Sequence, residues 1–337
     1  MEGLTINIWV LALLIVVAIA FDFMNGFHDG ANAISTIVVT GILTPKQAVI
    51  FAAFFNFLAL WVFHLSVAAT IGKGTVDPHF VDYYVIFGAL CGALIWNIIT
   101  WYYGIPSSSS HALVGGLVGA TVAKTGSFAP VIWSGFGKIL LFIVLSPLLG
   151  FLLGGLLMVL VAWLFRNHSP RQVGKWFNYT QVVASGAYSL THGGNDAQKT
   201  IGIIWLLLIS AGVATTDVKT LPDWVIYSCY FSIAWGTYLG GWRIVKTMGT
   251  KITKLNSVSG SCASMSGAIS LGIATLAGIP VSTTHTITGS IVGVGTAHHV
   301  RAVRWGIAMN LAVAWIFTLP ASGFIASIFW WLGTKVM

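Results

Sequence analysis

Apolar segments long enough to cross a membrane recur along the whole chain. Ile8–Phe21, Val49–Val67 and Ile139–Phe165 reach or approach the ~20 residues that a helix needs to span about 30 Å of hydrocarbon. Similar segments continue to Ile307–Leu319, so they are spread too evenly for a soluble domain with a single anchor. The pattern therefore predicts an all-α polytopic membrane protein.

Two polar motifs within these apolar segments occur twice, in the same order. The first, Asn25-Gly-Phe-His-Asp29, has a counterpart 167 residues later in His192-Gly-Gly-Asn-Asp196. The second, Gly104-Ile-Pro-Ser-Ser-Ser-Ser-His111, returns 174 residues later as Gly278-Ile-Pro-Val-Ser-Thr-Thr-His285. Two landmarks repeated at nearly one spacing indicate that the chain is built from two related halves.

The charges between the apolar segments predict that the two halves face opposite ways. We divide the chain into an N-terminal membrane repeat (1–165), a cytoplasmic linker (166–178) and a C-terminal inverted membrane repeat (179–337). The loop Ile71–Asp82 carries one Lys and two Asp, whereas its counterpart Arg243–Leu255 carries four basic residues and no acid. Because basic loops stay in the cytoplasm, equivalent loops lie on opposite sides. Inverted repeats of this kind are typical of transporters whose substrate site lies near the bilayer midplane.

Composition supports the membrane assignment and excludes other classes. Only 7% of residues are charged, against ~25% in soluble domains, and 57% are hydrophobic. The net charge of +8 resides largely in short segments between apolar runs, so we expect a multi-pass protein of the plasma (inner) membrane, surrounded by the lipid bilayer, with no nucleic-acid partner. The three cysteines, Cys91, Cys229 and Cys262, form no metal-binding or disulfide pattern.

The aspartates inside apolar segments are the first candidate functional residues, because a charge within a bilayer is costly. Asp22 and Asp29 end the first apolar segment, and Asp196 lies at the matching place in the second half. Asparagines and glycines surround Asp29: Asn25, Gly26, Gly30 and Asn32. They predict a broken helix whose freed backbone groups line a cavity. A loop at the membrane surface is the alternative.

The hydroxyl-rich motifs predict an anion site. Pro106 and Pro280 favour the first turn of a helix, and unpaired N–H groups at a helix start attract anions. The hydroxyl side chains beside them can serve a tetrahedral oxyanion from both halves: Ser107, Ser108, Ser109, Ser110, Ser282, Thr283 and Thr284. Such hydroxyls also serve as packing contacts between membrane helices, but their duplication favours ligand binding.

An anion bound beside Asp29 and Asp196 would face like charges. The site therefore requires a bound cation, a protonated carboxyl or a proton on the ligand, which makes cation and anion binding mutually dependent. Lys199, at the place of Asn32 in the other half, is either a snorkelling side chain or a fixed positive charge that replaces a cation. Four histidines beside the motifs are either proton relay candidates or structural residues: His28, His111, His192 and His285.

These motifs resemble those of the inorganic phosphate transporter (PiT) family, and of its bacterial low-affinity permeases most of all. Residues 25–32 and 192–199 are similar to its two signature segments, and the two Pro-Ser/Thr-His segments are similar to its paired hairpin motifs. The resemblance spans nearly the whole chain. It implies 10–12 membrane segments, two hydroxyl-rich re-entrant hairpins, frequent homodimers, and movement of phosphate with sodium or protons. From the residues alone, a full crossing of the Gly-Ile-Pro segments remains an alternative to the hairpins.

The resemblance also implies residue roles. Phosphate would contact the hydroxyl set together with Asp29 and Asp196. The coupling cation would be held by side-chain oxygens of both signature segments: Asn25, Asp29, Asn32, Asn195 and Asp196. Lys199 departs from the family pattern, in which many relatives have Asn, and brings a second sodium site into question. No cofactor is expected, and no metal beyond Na+.

Three functions remain to be distinguished. The first is a secondary phosphate symporter that works by alternating access, and the second is a passive anion channel or exchanger on the same architecture. The third is a membrane hydrolase with metal ligands at His28, Asp29, His192 and Asp196. Because each His–Asp pair lies beside glycines at matching positions of two halves, one shared transport site fits better than an enzyme centre.

Overall fold

The computed structural model describes residues 7–215 and 217–336, and this part of the chain is almost entirely helical. The helices are α1 (Ile8–Val39), α2 (Pro45–Leu58), α3 (Ser66–Gly74), α4 (Tyr83–Tyr103), α5 (Ser109–Thr125), α6 (Trp133–Leu164), α7 (Pro170–Ser210), α8 (Asp223–Leu239), α9 (Trp242–Lys246), α10 (Ser257–Leu276), α11 (Thr283–His298) and α12 (Trp305–Val336). A π-helical turn, Thr247–Lys251, follows α9. Short 3-10 turns lie at Ala59–Trp61, Pro78–Phe80, Val218–Thr220 and Val300–Ala302.

The helices follow the same order in each half. A long helix with an Asp motif (α1 or α7) comes first, then two shorter helices, then a pair joined by a hydroxyl motif (α4–α5 or α10–α11). Each half ends with a long helix that contains an internal proline, Pro147 in α6 and Pro320 in α12. The order of elements thus follows the duplicated motifs.

The polar stretch 166–178 is mostly helical. Ser169 caps α7 by accepting a hydrogen bond from Gln172 N, and Pro170 occupies the first turn. Arg171 and Lys175, which belong to the predicted linker 166–178, therefore lie exposed on the first turns of α7.

The expected helix break at the Asp motifs is wrong. Helices α1 and α7 run unbroken through both motifs. The glycines there serve close packing: a Cβ on Gly26 would overlap the backbone of Ile233 in α8, and one on Gly193 would overlap that of Asn56 in α2. The sharp bend lies elsewhere, where Pro45–Trp61 and Ser66–Gly72 meet at 83°.

The predicted helix starts at Pro106 and Pro280 are also wrong, by three residues. Helix α5 begins at Ser109, because the hydroxyl of Ser108 accepts a hydrogen bond from His111 N at 3.2 Å. Helix α11 begins at Thr283, where Ser282 makes the same 3.2 Å cap with His285 N. A capping hydroxyl sets the start of each helix, and the prolines belong to the non-helical segments that lead into it.

The two helix pairs form hairpins whose ends are tied together. At the first, Lys124 Nζ lies 2.7 Å from Asp82 Oδ2. At the second, Thr253 Oγ1 donates to Ala302 O at 3.1 Å. The tips of both hairpins are buried in the centre of the molecule, where the rings of His111 and His285 lie 4.7 Å apart.

Glycine contacts show that the hairpins point at each other from opposite ends. Along α11, Gly289 and then Gly293 meet Pro147 and then Phe151 of α6, so these two helices run parallel. In the other half, Gly115 and Gly119 of α5 meet successive positions of α12, which are Leu319 and Gly323. Since α6 follows α5 and leads to the opposite end of the molecule, α5 and α11 run from the centre toward opposite ends.

The outer surface is apolar, as a lipid-facing surface must be. Among the described residues, four helices are long and apolar enough to cross a membrane, α1, α4, α6 and α12, and the bent α2–α3 segment could provide a fifth span. Large exposed side chains such as Leu156, Phe317 and Phe324 cover α6 and α12. Helices α7, α10 and α11 are less apolar, and many of their polar residues are buried in the interior, among them Asp196, Ser264 and Thr284.

Candidate functional site

Asp29 is bound by the tips of both hairpins. Ser109 Oγ lies 2.5 Å from Asp29 Oδ2 and 2.7 Å from Asn25 Oδ1, two acceptors for one hydroxyl hydrogen. From the other hairpin, Thr284 Oγ1 donates to Asp29 Oδ1 at 3.1 Å. The aspartate is only 2% exposed. One buried carboxylate of α1 therefore joins a helix start from each half.

Asp196 forms the second centre together with Lys199. The ammonium of Lys199 donates to Asp196 Oδ1, to Ser110 Oγ of the first hairpin and, at 2.8 Å, to Val281 O of the second. Thr283 Oγ1 donates to Asp196 Oδ2 at 3.2 Å. Lys199 is 1% exposed, so it does not snorkel; it is a buried cation held by three acceptors.

Asp29 and the Asp196–Lys199 pair are adjacent, because consecutive residues of each hairpin tip contact them. Thr283 contacts Asp196 and Thr284 contacts Asp29. In the first hairpin, Ser109 contacts Asp29 while the next residue, Ser110, contacts Lys199. Both carboxylates, the ammonium and both hydroxyl clusters therefore surround one buried region.

The asparagines add oxygen and nitrogen groups around this region. Asn32 Nδ2 donates to Thr284 Oγ1 at 2.8 Å, and Asn195 Nδ2 donates to Thr275 Oγ1 at 3.0 Å. Within the described residues, Asn32 Oδ1 and Asn195 Oδ1 are buried without a hydrogen-bond partner. Carbonyl and carboxylate oxygens of this kind are ligands that a hard cation such as Na+ accepts. Asn195 Nδ2 also donates to Ile279 O at 3.3 Å, so it contacts the tip of the second hairpin through the backbone.

Two of the four histidines contact the carboxylates. His28 Nδ1 lies 2.8 Å from Asp29 Oδ1, and its Nε2 lies 3.1 Å from Thr100 Oγ1. His192 Nε2 lies 3.4 Å from Asp196 Oδ2, and its Nδ1 lies 3.0 Å from Asn56 Oδ1. His28 is therefore within hydrogen-bond distance of Asp29, whereas His192 Nε2 lies near Asp196 but has no hydrogen-bond partner among the described residues.

The other two histidines pack against each other. His111 and His285 are buried at the hairpin tips, and His285 stacks on Trp315 with ring centroids 4.0 Å apart. Their backbone N–H groups are held by the caps at Ser108 and Ser282. The predicted phosphate ligands Ser108 and Ser282 therefore serve as helix caps here, and Ser107 Oγ donates to Thr100 Oγ1 at 2.9 Å.

Sequence reasoning missed several residues of the site. Tyr188 donates from its hydroxyl to Thr283 O at 3.0 Å, and Thr200 donates to Asp22 Oδ1 at 2.7 Å. Tyr188 lies four residues before His192, and Thr200 lies four residues after Asp196. Residues four apart share a face of a helix, so each lies on the same face of α7 as its motif residue. That spacing is a signal in the sequence. Thr100 and Asn56, in contrast, come from segments with no motif.

Each of the two His–Asp pairs has its own set of contacts. In residues 7–215 and 217–336, no three His, Cys, Asp or Glu side chains converge as a metal centre requires. Each His–Asp pair is instead bound to a hairpin hydroxyl and to its own neighbours.

Comparison with known proteins assigns the family. A model of the phosphate transporter family matches residues 25–326, which include all four motifs. The chain belongs to the phosphate transporter family. It is therefore a phosphate transporter, a multi-pass protein of the plasma membrane, and its relatives are permeases and transporters rather than enzymes.

Individual members of the phosphate transporter family match this chain over nearly its whole length. A probable low-affinity inorganic phosphate transporter of Rhizobium meliloti is 56% identical over 94% of this chain and 94% of its own. The counterpart from Bacillus subtilis is 45% identical over 94% of this chain and 95% of its own. A solved structure, described as the sodium-dependent phosphate transporter, has the same fold with a TM-score of 0.89 at 24% identity, and covers 98% of this chain and 100% of its own.

Proposed function

We propose that this chain is a secondary symporter that moves inorganic phosphate together with a cation, sodium or proton, by alternating access. The observation that carries the proposal is the carboxylate of Asp29, which binds hydroxyls from both hairpin tips. A phosphate transporter needs hydrogen-bond donors for its anion. Here the hairpin hydroxyls, which could serve as such donors, are hydrogen-bonded to carboxylates.

Competition for the hydroxyl donors couples the two ligands. A hydroxyl carries one hydrogen, so Ser109 or Thr284 can serve either Asp29 or a phosphate oxygen at a given moment. A cation or proton on Asp29 weakens its hold on these hydroxyls and frees them for phosphate. Each ligand thereby raises the affinity for the other, and this reciprocity is what symport requires.

The helix starts add a second attraction for the anion. The first backbone N–H groups of α5 and α11 have no partner within their own helices, and the positive ends of both helices point at the site. The site is therefore ready for an anion as soon as the charge of Asp29 is neutralised.

Lys199 supplies a permanent cation for the other carboxylate. Its ammonium contacts Asp196, and its contacts with Ser110 and Val281 link the two tips. We propose that it replaces a second coupling cation, so that Asp29, with Asn25 and Asn32 beside it, is the variable cation site.

The hairpins provide the two alternating entrances. We propose that repeats 1–165 and 179–337 are inverted across the bilayer and that each hairpin is re-entrant. The opposite directions of α5 and α11 and the burial of both tips support this. Each hairpin packs on the last helix of the other half, so movement of one half opens one entrance as it closes the other.

Uptake of radiolabelled phosphate into proteoliposomes tests the proposal. We expect uptake to accelerate when a sodium or proton gradient is imposed, and Asp29→Asn to remove this acceleration. Phosphate flux that depends on neither gradient would instead identify a passive anion channel or exchanger.

A further inference from the structure

A cavity of about 480 Å³ lies at the outer end of the second hairpin, away from the central site. Its walls come from the segment before α10, the end of α11 and the segment that follows α11. Four basic side chains line it: Lys254, His298, Arg301 and Arg304. All four are exposed, so a ligand can reach them.

The backbone around the cavity is held in place from both sides. Arg304 N donates to Ile252 O at 2.9 Å, next to the bond between Thr253 and Ala302. At its floor, a Cβ on Gly295 would meet Val303 at 2.8 Å. The segments that carry the basic side chains are therefore tied to each other, which fixes the spacing of the backbone positions from which these side chains extend.

The charge of this cavity is not neutralised by the protein. At the equivalent end of the first hairpin, Lys124 pairs with Asp82. In the described part of the chain, neither Lys254 nor Arg301 nor Arg304 pairs with an acidic group, and the cavity lining contains no acid. The second half thus keeps a concave, positively charged site where the first half has an ion pair.

Two further features favour an anion at this place. Helix α10 starts at the cavity wall, where Asn256 caps Ser259 N at 2.9 Å, and the positive end of the helix adds to the field of the basic side chains. Trp305, which is 48% exposed, follows directly and donates from Nε1 to Val300 O at 3.0 Å. A half-exposed tryptophan is typical of the headgroup level of a bilayer.

We propose that this cavity binds a phosphate-bearing anion, either the headgroup phosphate of an anionic lipid or free phosphate. The two guanidinium groups can bind phosphate oxygens in bidentate fashion, and Lys254 adds a point charge. The site is separate from the central one, because α11 spans ~24 Å between the hairpin tip and His298. The proposal does not depend on the coupling mechanism above.

Binding measurements on full-length protein in nanodiscs test this site. The test variant is Arg301→Gln with Arg304→Gln, and the matched control is Lys124→Gln, which removes a cation from the other hairpin. In the first arm, inorganic phosphate is titrated into protein in phosphatidylcholine nanodiscs. In the second arm, retention of phosphatidylglycerol is measured by native mass spectrometry after exchange from mixed nanodiscs.

Each outcome decides the proposal. Loss of phosphatidylglycerol retention in the double variant alone identifies a lipid headgroup. If free phosphate is the ligand, the wild type and the control bind phosphate at two sites, and the double variant loses one site or binds there about tenfold or more weakly. The central phosphate site, retained in the variant, reports that the protein is folded. No difference between the double variant and the control in either arm overturns the proposal.

Discussion

At the scale of single residues, the ammonium of Lys199 is the most distinctive feature of the site, because a buried Lys stands where the other half has Asn32. Replacing it removes a positive charge from Asp196. We therefore expect Lys199→Asn to raise the sodium dependence of phosphate uptake, since sodium must then neutralise that carboxylate. Uptake at varied sodium concentration checks this.

The control for this prediction is Lys124→Asn, which removes a lysine paired with a surface carboxylate. It should leave the sodium response unchanged. An unaltered sodium response in Lys199→Asn would show that the ammonium does not act as a cation substitute.

The hairpin hydroxyls give a second prediction at this scale. Ser109→Ala or Thr283→Ala deletes a donor to a charged ligand, a contact worth ~1.5–3 kcal/mol. The apparent affinity for phosphate should therefore fall about 10- to 150-fold in uptake assays. Thr121→Ala is the matched control, because this buried hydroxyl of α5 donates to its own helix at Leu117 O. Wild-type affinity in both test variants would mean that the hydroxyls only pack helices together.

The sequence predicted the centre of the site better than its surroundings. Asp29, Asp196, Ser109 and Thr284 lie in duplicated motifs, and repetition indicated that they belong together. Thr100, which hydrogen-bonds to His28 and Ser107, lies in no repeated motif. Its place in the site depends on how α4 packs on α1. Contacts of this kind follow from tertiary structure alone.

At the scale of helices, glycines set how closely the two halves approach. In α11, a Cβ on Gly289 would overlap the backbone of Pro147 in α6. Overpacking of this kind costs ~1–3 kcal/mol, so Gly289→Ala should lower the melting temperature of the purified protein by several degrees. Gly137→Ala, in α6, should not lower it, because within the described chain no neighbouring helix comes within 4 Å of the added Cβ. Equal melting temperatures would contradict this account of the packing.

The two possible roles of glycine in a helix explain the wrong prediction of a helix break. Gly26 and Gly30 suggested an interruption from composition, yet α1 continues and both glycines face α8, at Ile233 and Thr237. A glycine that bends a helix and one that admits a neighbouring helix look alike in sequence. The partner lies some 200 residues away, so only the fold distinguishes them.

At the scale of the whole molecule, inverted repeats predict that the two hairpins open to opposite sides of the membrane. Ser127 follows the first hairpin and Ala297 lies in the last turn of α11, at the end of the second, and both are exposed. In a background with the three native cysteines replaced, an impermeant thiol reagent should label Ser127→Cys in intact cells, and Ala297→Cys only after the membrane is opened. Labelling of both positions from one side would exclude the inverted arrangement.

The central claim is that neutralising Asp29 releases hydroxyl donors to phosphate. Radiolabelled phosphate binding to purified wild type and Asp29→Asn, each scanned over sodium concentration and pH, tests it most directly. Wild-type affinity should rise with the coupling cation, and this dependence should vanish in Asp29→Asn. Cation dependence that persists unchanged in the variant, or its absence from the wild type, would contradict the account.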